Sequence, residues 1–362
     1  MHKVKPLIVS RTLPYLGGRE VMVDKLIKFF TKKNTTCVLT PDKYRKQPGV
    51  NICSTNKSNE EILNWVKRQN ISVINCHTFY LADLAIYISK KLHKPLVFTL
   101  HGVFVDHYGE KYGKLLKKIW SKSDLVITVS SGYSKKLRTY LGKKTAPMVI
   151  KNGIELESID HLNKSKKFYR KKNKLPVDKF IVIVPARLTY LKGLDYLMKA
   201  FDGFSDKDIL VLVCSPKGRK SGTEDTYQNN LKGIIKNSLS LIEFRNVAHP
   251  SILEYYKSAD VVLLSSLIEG ISISLLEAMA CSRTVVATDV GGNPEIIKNN
   301  RNGYLIKPKN PKAIIEIIKK LKRHNNISMG RNARKTIERH FLSSKMFKTY
   351  EEVFKKIKYE NK

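Results

Sequence analysis

Two glutamates bracket the segment Glu269-Gly-Ile-Ser-Ile-Ser-Leu-Leu-Glu277. It follows the apolar run Val261–Leu264 and leads into the apolar helical run Leu275–Cys281. A helix start presents backbone N–H groups without intrahelical partners and a partial positive charge, which suits a diphosphate or sugar hydroxyls. Glu269, in the loop, can accept hydrogen bonds from sugar hydroxyls, and Glu277, one turn into the helix, from a ribose. The same letters admit a reading without a ligand, because Ser274-x-x-Glu277 is also a capping box.

Two cations stand five residues apart in Pro185-Ala-Arg187-Leu-Thr-Tyr-Leu-Lys192-Gly193, after the apolar run Phe180–Val184. The guanidinium is a planar fork and the ammonium a point charge, and together they can close on a diphosphate. Fixed cations there stabilise the charge a departing nucleoside diphosphate develops. The bland reading is a loop with two solvated charges. Gly17 and Gly18, in Tyr15-Leu-Gly-Gly-Arg-Glu20, follow the first strand and would let backbone approach an anion, or simply make a tight turn. His101, in Thr99-Leu-His-Gly102 at a strand end, can hydrogen-bond a sugar hydroxyl, although a lone histidine is more often structural.

These residues need elements to position them. Short β-branched runs alternate with helical periods: Val4–Ser10, Thr36–Thr40, Ile71–Asn75, Pro95–Leu100, Leu125–Val129 and Met148–Ile150 read as strands, with amphipathic stretches such as Val21–Phe30 and Tyr80–Leu92 between them. The alternation pauses near Asn152-Gly153 and a polar stretch, Lys164–Asp178. It restarts with Phe180–Val184, Ile209–Val213, Leu241–Glu243, Val261–Leu264 and Thr284–Ala287. Alternating strands and helices predict parallel sheets covered on both faces. A chain of 362 residues suits two such α/β units: residues 1–155 and 156–342, with a last helix, about 343–362, packing back on the first. Ligands of such sheets bind beyond the carboxyl ends of the strands.

Together and in order, these pieces resemble the retaining nucleotide-sugar glycosyltransferases of the group 1, family 4-like type, which include glycogen, sucrose and lipid-mannosyl synthesising enzymes. The resemblance also rests on Ser123-Asp124 through Ser130, Asn152-Gly153-Ile154, Ala259-Asp260-Val, Ala278-Met-Ala-Cys281, Val290-Gly-Gly-Asn-Pro-Glu295 and Asn302-Gly-Tyr304. It implies the GT-B fold, two facing Rossmann-like domains with the active site in the cleft between them. It further implies that Arg187 and Lys192 hold the diphosphate and Glu277 the ribose. Glu269, with Gly270 and the backbone of Ile271, Ser272 and Ile273, would hold the donor sugar, and His101 would reach that sugar. Val247 lies where the family's backbone reads the base, and the loop of Gly17 and Gly18 joins the donor site. The catalytic positions are thus His101 and Glu269. No metal and no cofactor are expected, the UDP- or GDP-sugar being a substrate. The acceptor is a glycan, a lipid-linked species or another hydroxyl compound. The sequence departs from the family at Ile271-Ser272, where Phe-Gly is usual, at Cys214-Ser215, at Asn246 and at Ser282-Arg-Thr284. No charged site residue is lost.

The net charge of +36 speaks to partners or solubility, not fold, with a lysine-rich genome as the bland alternative to an anionic partner. Residues 1–153 carry 28 basic and 9 acidic side chains, a net of +19. Lys111–Lys122 reads as a basic amphipathic helix with Leu115, Leu116 and Ile119 on one stripe. That stripe either lies on anionic lipid or packs on the protein's own sheet. The five scattered cysteines have no metal spacing and read as free thiols of a reducing cytoplasm. No signal peptide or membrane span is apparent, so the expected location is cytoplasmic, peripheral on the cytoplasmic membrane face if the protein meets a membrane. Two competing readings are a nucleotide-sugar epimerase of similar fold and a basic nucleic-acid binder. No nucleic-acid motif supports the second, and nucleic acid is not an expected partner.

Overall fold

The structure is a computed structural model that describes residues 4–11, 17–41, 44, 47–102, 105–142, 146–216, 222–234, 241–324 and 327–360. The chain divides into two compact units, residues 1–152 with 343–362, and residues 153–342. The division falls three residues before the boundary read from the sequence. Ile154 accounts for the shift: it bridges to Leu342 and is buried in the core of the second unit.

The first unit is a seven-stranded parallel sheet in the order β3-β2-β1-β4-β5-β6-β7. Its strands are β1 (Pro6–Val9), β2 (Thr36–Thr40), β3 (Val50–Ser54), β4 (Val73–Cys76), β5 (Leu96–Leu100), β6 (Leu125–Thr128) and β7 (Met148–Val149). The second is a six-stranded parallel sheet, β10-β9-β8-β11-β12-β13. It is built from β8 (Phe180–Pro185), β9 (Ile209–Ser215), β10 (Leu241–Asn246), β11 (Val261–Leu264), β12 (Thr284–Thr288) and β13 (Tyr304–Ile306). Both are doubly wound sheets whose strand order reverses once, at β1/β4 and at β8/β11, where such sheets bind ligands.

Side-chain alternation explains why both faces are covered. In the second unit Ile181, Ile183, Leu210, Leu212, Val262 and Leu264 enter one apolar cluster. Their neighbours Val182, Val184, Val211, Val213, Val261 and Leu263 enter another on the opposite face. In the first unit Ile8, Val38, Val73, Val97 and Ile127 meet the helix Gly18–Thr31 through Met22, Val23, Leu26, Ile27 and Phe30. The same cluster takes Met346, Phe347, Tyr350, Phe354 and Ile357 from the last helix, Ser343–Glu360. The ring of Phe354 stacks on that of Phe30 at 5.5 Å, and Lys33 pairs with Glu351 at 2.5 Å.

Two strands escaped the sequence reading. β3 is an edge strand of only five residues, mostly half-exposed, and β13 is an edge of three. β3 is interrupted by polar residues, and the apolar run of β13 is only three residues long. The Lys111–Lys122 stretch belongs to a helix, Val105–Lys122, interrupted by a non-helical Gly109. Leu116 and Ile119 are each 1% exposed, so most of the stripe is spent inward, while Leu115 and Trp120 are half-buried and Lys111, Lys114, Lys117, Lys118 and Lys122 are exposed. Among the described residues no helix is long and apolar enough to cross a membrane.

Candidate active site

In the second unit the chemistry gathers at the switch point. The loop after β8 carries Arg187 and Lys192, and the loop after β11 carries Glu269. Lys192 Nζ meets Glu269 Oε1 at 2.5 Å, and Ser266 Oγ donates to the same oxygen at 2.7 Å. Glu269 is 9% exposed, so the pair is partly desolvated and its charges interact more strongly than a surface pair would. Arg187 is exposed and has no ion-pair partner among the described residues.

The backbone holds this arrangement from two sides. Ser265 Oγ donates to the Lys192 carbonyl at 2.9 Å, and the Leu267 N–H to the Leu191 carbonyl at 2.9 Å. On the other side the Gly292 N–H donates to the Gly270 carbonyl at 2.7 Å. The approaches are too close for side chains. A Cβ on Gly193 (φ +62°) would lie 2.1 Å from the Ser265 oxygen, and one on Gly291 (φ +57°) 1.7 Å from the Glu269 oxygen. Both glycines are required twice over, by their left-handed backbone and by lack of space.

The helix that follows spans Ile273–Ala280 and is capped by Ser272, whose hydroxyl accepts from the Leu275 N–H at 3.4 Å. The capping box suggested by Ser274-x-x-Glu277 therefore does not form, because Ser274 lies inside the first turn. The Ser272 side chain, which stands where glycine is usual in the family, is spent on this cap. The N–H groups of Ile273 and Ser274 are left without partners among the described residues. Ile271 and Ile273 are buried in the core cluster of the unit. Glu277 is 5% exposed and meets His249 Nε2 through Oε1 at 3.1 Å. Val247 follows β10, is buried, and its N–H donates to the Ser215 carbonyl at 3.0 Å.

In the first unit Gly17 and Gly18 start the helix after β1. Gly17 is extended (φ −173°), a conformation open to any residue, and provides no side-chain cap. His101, at the end of β5, has an imidazole neighbour: His77 Nδ1 and His101 Nε2 lie 3.0 Å apart. Burial drives the His77 imidazole down to about 3 and holds His101 well below its ordinary value, with the Arg19 guanidinium adding to both. Arg19 is itself paired with Glu20, its Nε donating to Oε1 at 2.9 Å. All five cysteines are free and buried, and burial raises the thiols, Cys76 and Cys281 to about 12.

The structure thus joins Lys192 to Glu269, places Gly270–Ile273 and Glu277 on the adjoining loop and helix, and sets His101 at the corresponding edge of the other sheet. The sequence reading missed Ser266, His249, Gly291 and Gly292 as neighbours of the candidate residues in the second unit, and His77 as the neighbour of His101 in the first. Only the Gly291-Gly292 pair carries a local signal.

Two doubly wound units, the second with cationic and acidic loops at its switch point, define a two-unit α/β protein of Rossmann-like topology. Residues 165–337 match the model of the glycosyl transferases group 1, and residues 17–158 that of glycosyltransferase family 4. An uncharacterized glycosyltransferase of Methanocaldococcus jannaschii is 30% identical over 67% of this chain, and the chain spans 64% of that relative's length. The capsular polysaccharide biosynthesis glycosyltransferase CapM of Staphylococcus aureus is 24% identical, over 76% of this chain and 73% of its own. The structure of Anabaena HepE in complex with UDP and glucose superposes with a TM-score of 0.82, covering 98% of this chain and all of that one at 18% identity, a likeness of fold. The chain belongs to the group 1, family 4-like glycosyltransferases and has their GT-B-like fold. The matched families are glycosyltransferases throughout, which disfavours the epimerase reading.

Proposed function

We propose that the protein transfers a sugar, with retention of anomeric configuration, from a nucleoside-diphosphate donor to a glycan, lipid-linked or other hydroxyl acceptor in glycan biosynthesis. The observation that carries this reading is the Lys192–Glu269 pair, held by three backbone-locked loops at the switch point of the second sheet. Lys192 is already oriented by Glu269, and Arg187 on the same loop is exposed, with no ion-pair partner among the described residues. A diphosphate arriving there gains two cations whose field needs little reorganisation as the leaving group forms. The unpartnered N–H groups of Ile273 and Ser274 add donors for phosphate or sugar oxygens.

Glu277, held by His249 and not by a helix cap, is assigned to the ribose. Glu269 has one oxygen engaged by Lys192 and Ser266, leaving the other for sugar hydroxyls. Val247 offers its carbonyl to the base. His101 is assigned to the sugar, and Gly17 and Gly18 to backbone approach at the donor. Similar proteins point the same way: HepE was crystallised with UDP and glucose, and CapM carries the name of a capsular polysaccharide enzyme. The charge of the cation pair substitutes for a divalent ion in this proposal, and no cofactor takes part. The +19 on residues 1–153 and the exposed lysines of the helix Val105–Lys122 support peripheral contact with an anionic membrane face.

The test is a panel of UDP- and GDP-sugars, with and without excess chelator, followed by anomeric analysis of the product. We expect sugar release from at least one donor, unaffected by chelator, with configuration retained. No release from any donor overturns the transferase reading, inversion overturns the stereochemical one, and metal-reversible loss overturns the role given to Arg187 and Lys192.

A further inference from the structure

The Glu277 carboxylate is nearly buried, and among the described residues His249 is the one group that hydrogen-bonds to it, Nε2 to Oε1 at 3.1 Å. A buried charge is held only where donors face it. The Tyr256 phenol lies close enough for that charge to act on, yet its hydroxyl is buried without a hydrogen bond and gives the carboxylate nothing. The second carboxylate oxygen, Oε2, makes no hydrogen bond among the described residues, and it is not sealed from solvent as the Tyr256 hydroxyl is. The contact thus separates the two oxygens, Oε1 turned to the protein and Oε2 left open. It also fixes the tautomer. A carboxylate oxygen accepts and cannot donate, so the proton of the contact is on His249 Nε2.

His249 stands in the segment after β10, two residues past Val247, and Glu277 on the helix after β11, with β9 and β8 between those strands. Core packing brings the two together. Leu253 and Tyr256 of the helix Ile252–Ser258 share an apolar cluster with Leu275, Leu276 and Met279 of the helix Ile273–Ala280. His249 is half-buried and outside that cluster, so its side chain can change while the packing stays. We infer that His249 is a positioning residue that holds Glu277 by Oε1 and aims Oε2 at the ribose. The site thereby selects a ribonucleoside diphosphate over its 2′-deoxy counterpart. A site built to bond a hydroxyl rejects the analogue without it, because its own polar group is then left unpaired. Without the His249 N–H the carboxylate has no fixed orientation, and that discrimination goes with it. The inference rests on the assignment of Glu277 to the donor ribose.

Calorimetric titration of the full-length protein with UDP, GDP and their 2′-deoxy forms tests it. Wild type should bind the ribonucleotide of its base about tenfold or more tightly than the 2′-deoxy form, the worth of a hydrogen bond to a charged group. His249→Leu should bring that ratio close to one. His249→Gln, whose amide N–H reaches where Nε2 stands, should restore most of it, and His249→Asn, with the same amide on a shorter chain, should not. Combining His249→Leu with Glu277→Gln should lower the ratio no further than Glu277→Gln alone, because the two residues act as one unit. Thermal unfolding is followed for every variant. An unchanged ratio in folded His249→Leu, or equal weakening of both nucleotides, overturns the inference, the second giving His249 a merely structural role. If His249→Leu does not fold, the Gln and Asn variants decide, and equal ratios in those two overturn it. Expected ratios with no sugar release from any donor leave the positioning role standing and reject the transferase reading. Equal wild-type affinity for the ribo and deoxyribo forms, or no nucleotide binding, overturns the inference and the ribose assignment together.

Discussion

At the ends of β4 and β5 the first unit holds two neutral imidazoles, His77 and His101, and at the ends of β8 and β11 the second holds an ammonium and a carboxylate, Lys192 and Glu269. The two sheets share one strand order around their switch points. What differs is how the loops treat charge. The first unit sinks its ionisable groups until they lose it, and the second pairs them so that they keep it. Similar wiring therefore carries different chemistry, a contact between neutral imidazoles on one sheet and an ion pair on the other. Architecture alone does not assign either.

Removing the charge from the second unit should have the largest effect. Lys192→Ala is expected to lower turnover by about 10²–10³-fold, the usual loss when one preorganised electrostatic group is removed. Donor affinity should fall less, and steady-state kinetics separates the two. Unchanged turnover would erase the contrast between the sheets.

The backbone lock comes next. Gly291→Ala forces a Cβ to within 1.7 Å of the Glu269 oxygen at a positive φ, so the loop carrying Glu269 must move. A stability loss of about 1–3 kcal/mol, with weaker donor binding, is expected from thermal unfolding and titration. A silent substitution would show that the close approach is not needed.

Glu277→Gln sharpens the contrast within the second unit. A charged acceptor is worth roughly 1.5–3 kcal/mol, so donor affinity should fall about tenfold or more with the fold intact. Ser272→Ala should instead cost about 1 kcal/mol of stability as the true cap is lost. If Glu277→Gln leaves affinity unchanged, the assignment to ribose is wrong.

The smallest effect near neutrality belongs to the first unit. The folded His77 imidazole titrates at about 3, below its ordinary 6.5. Above the ordinary value neither folded nor unfolded chain binds the proton, and stability is full. As pH falls from about 6.5 toward about 3 the unfolded chain takes the proton first, so stability drops through that window. Denaturant titrations of wild type and His77→Asn should diverge less than the wild type alone declines, and identical pH slopes for the two would show that His77 is not a source.

Much of this was legible in the linear order of residues. The alternation of β-branched runs and helical periods defines two parallel units, because strands buried on both faces must be continuously apolar. Glu269, Lys192 and His101 stand out because each follows such a run, at the end where loops carry chemistry. The two short edge strands were not legible, since Val50–Ser54 is half-exposed with polar residues between its apolar ones and Tyr304–Ile306 is an apolar run of only three residues. The capping residue was misplaced by two positions, because Ser272 and Ser274 are equal as letters and only the helix start distinguishes them.

The sequence alone determined the fold class, the strand-end placement of the charged residues and the family they resemble, because these depend on local period and on motifs a few residues long. Only the tertiary structure decided who meets whom. Lys192 finds Glu269 77 positions away, Glu277 finds His249 28 away, and His77 finds His101 24 away. Each partnership arises where segments that follow different parallel strands converge at one end of a sheet. That convergence is set by strand order and backbone approach, such as the glycines at 193 and 291, and not by anything local to the residues that meet.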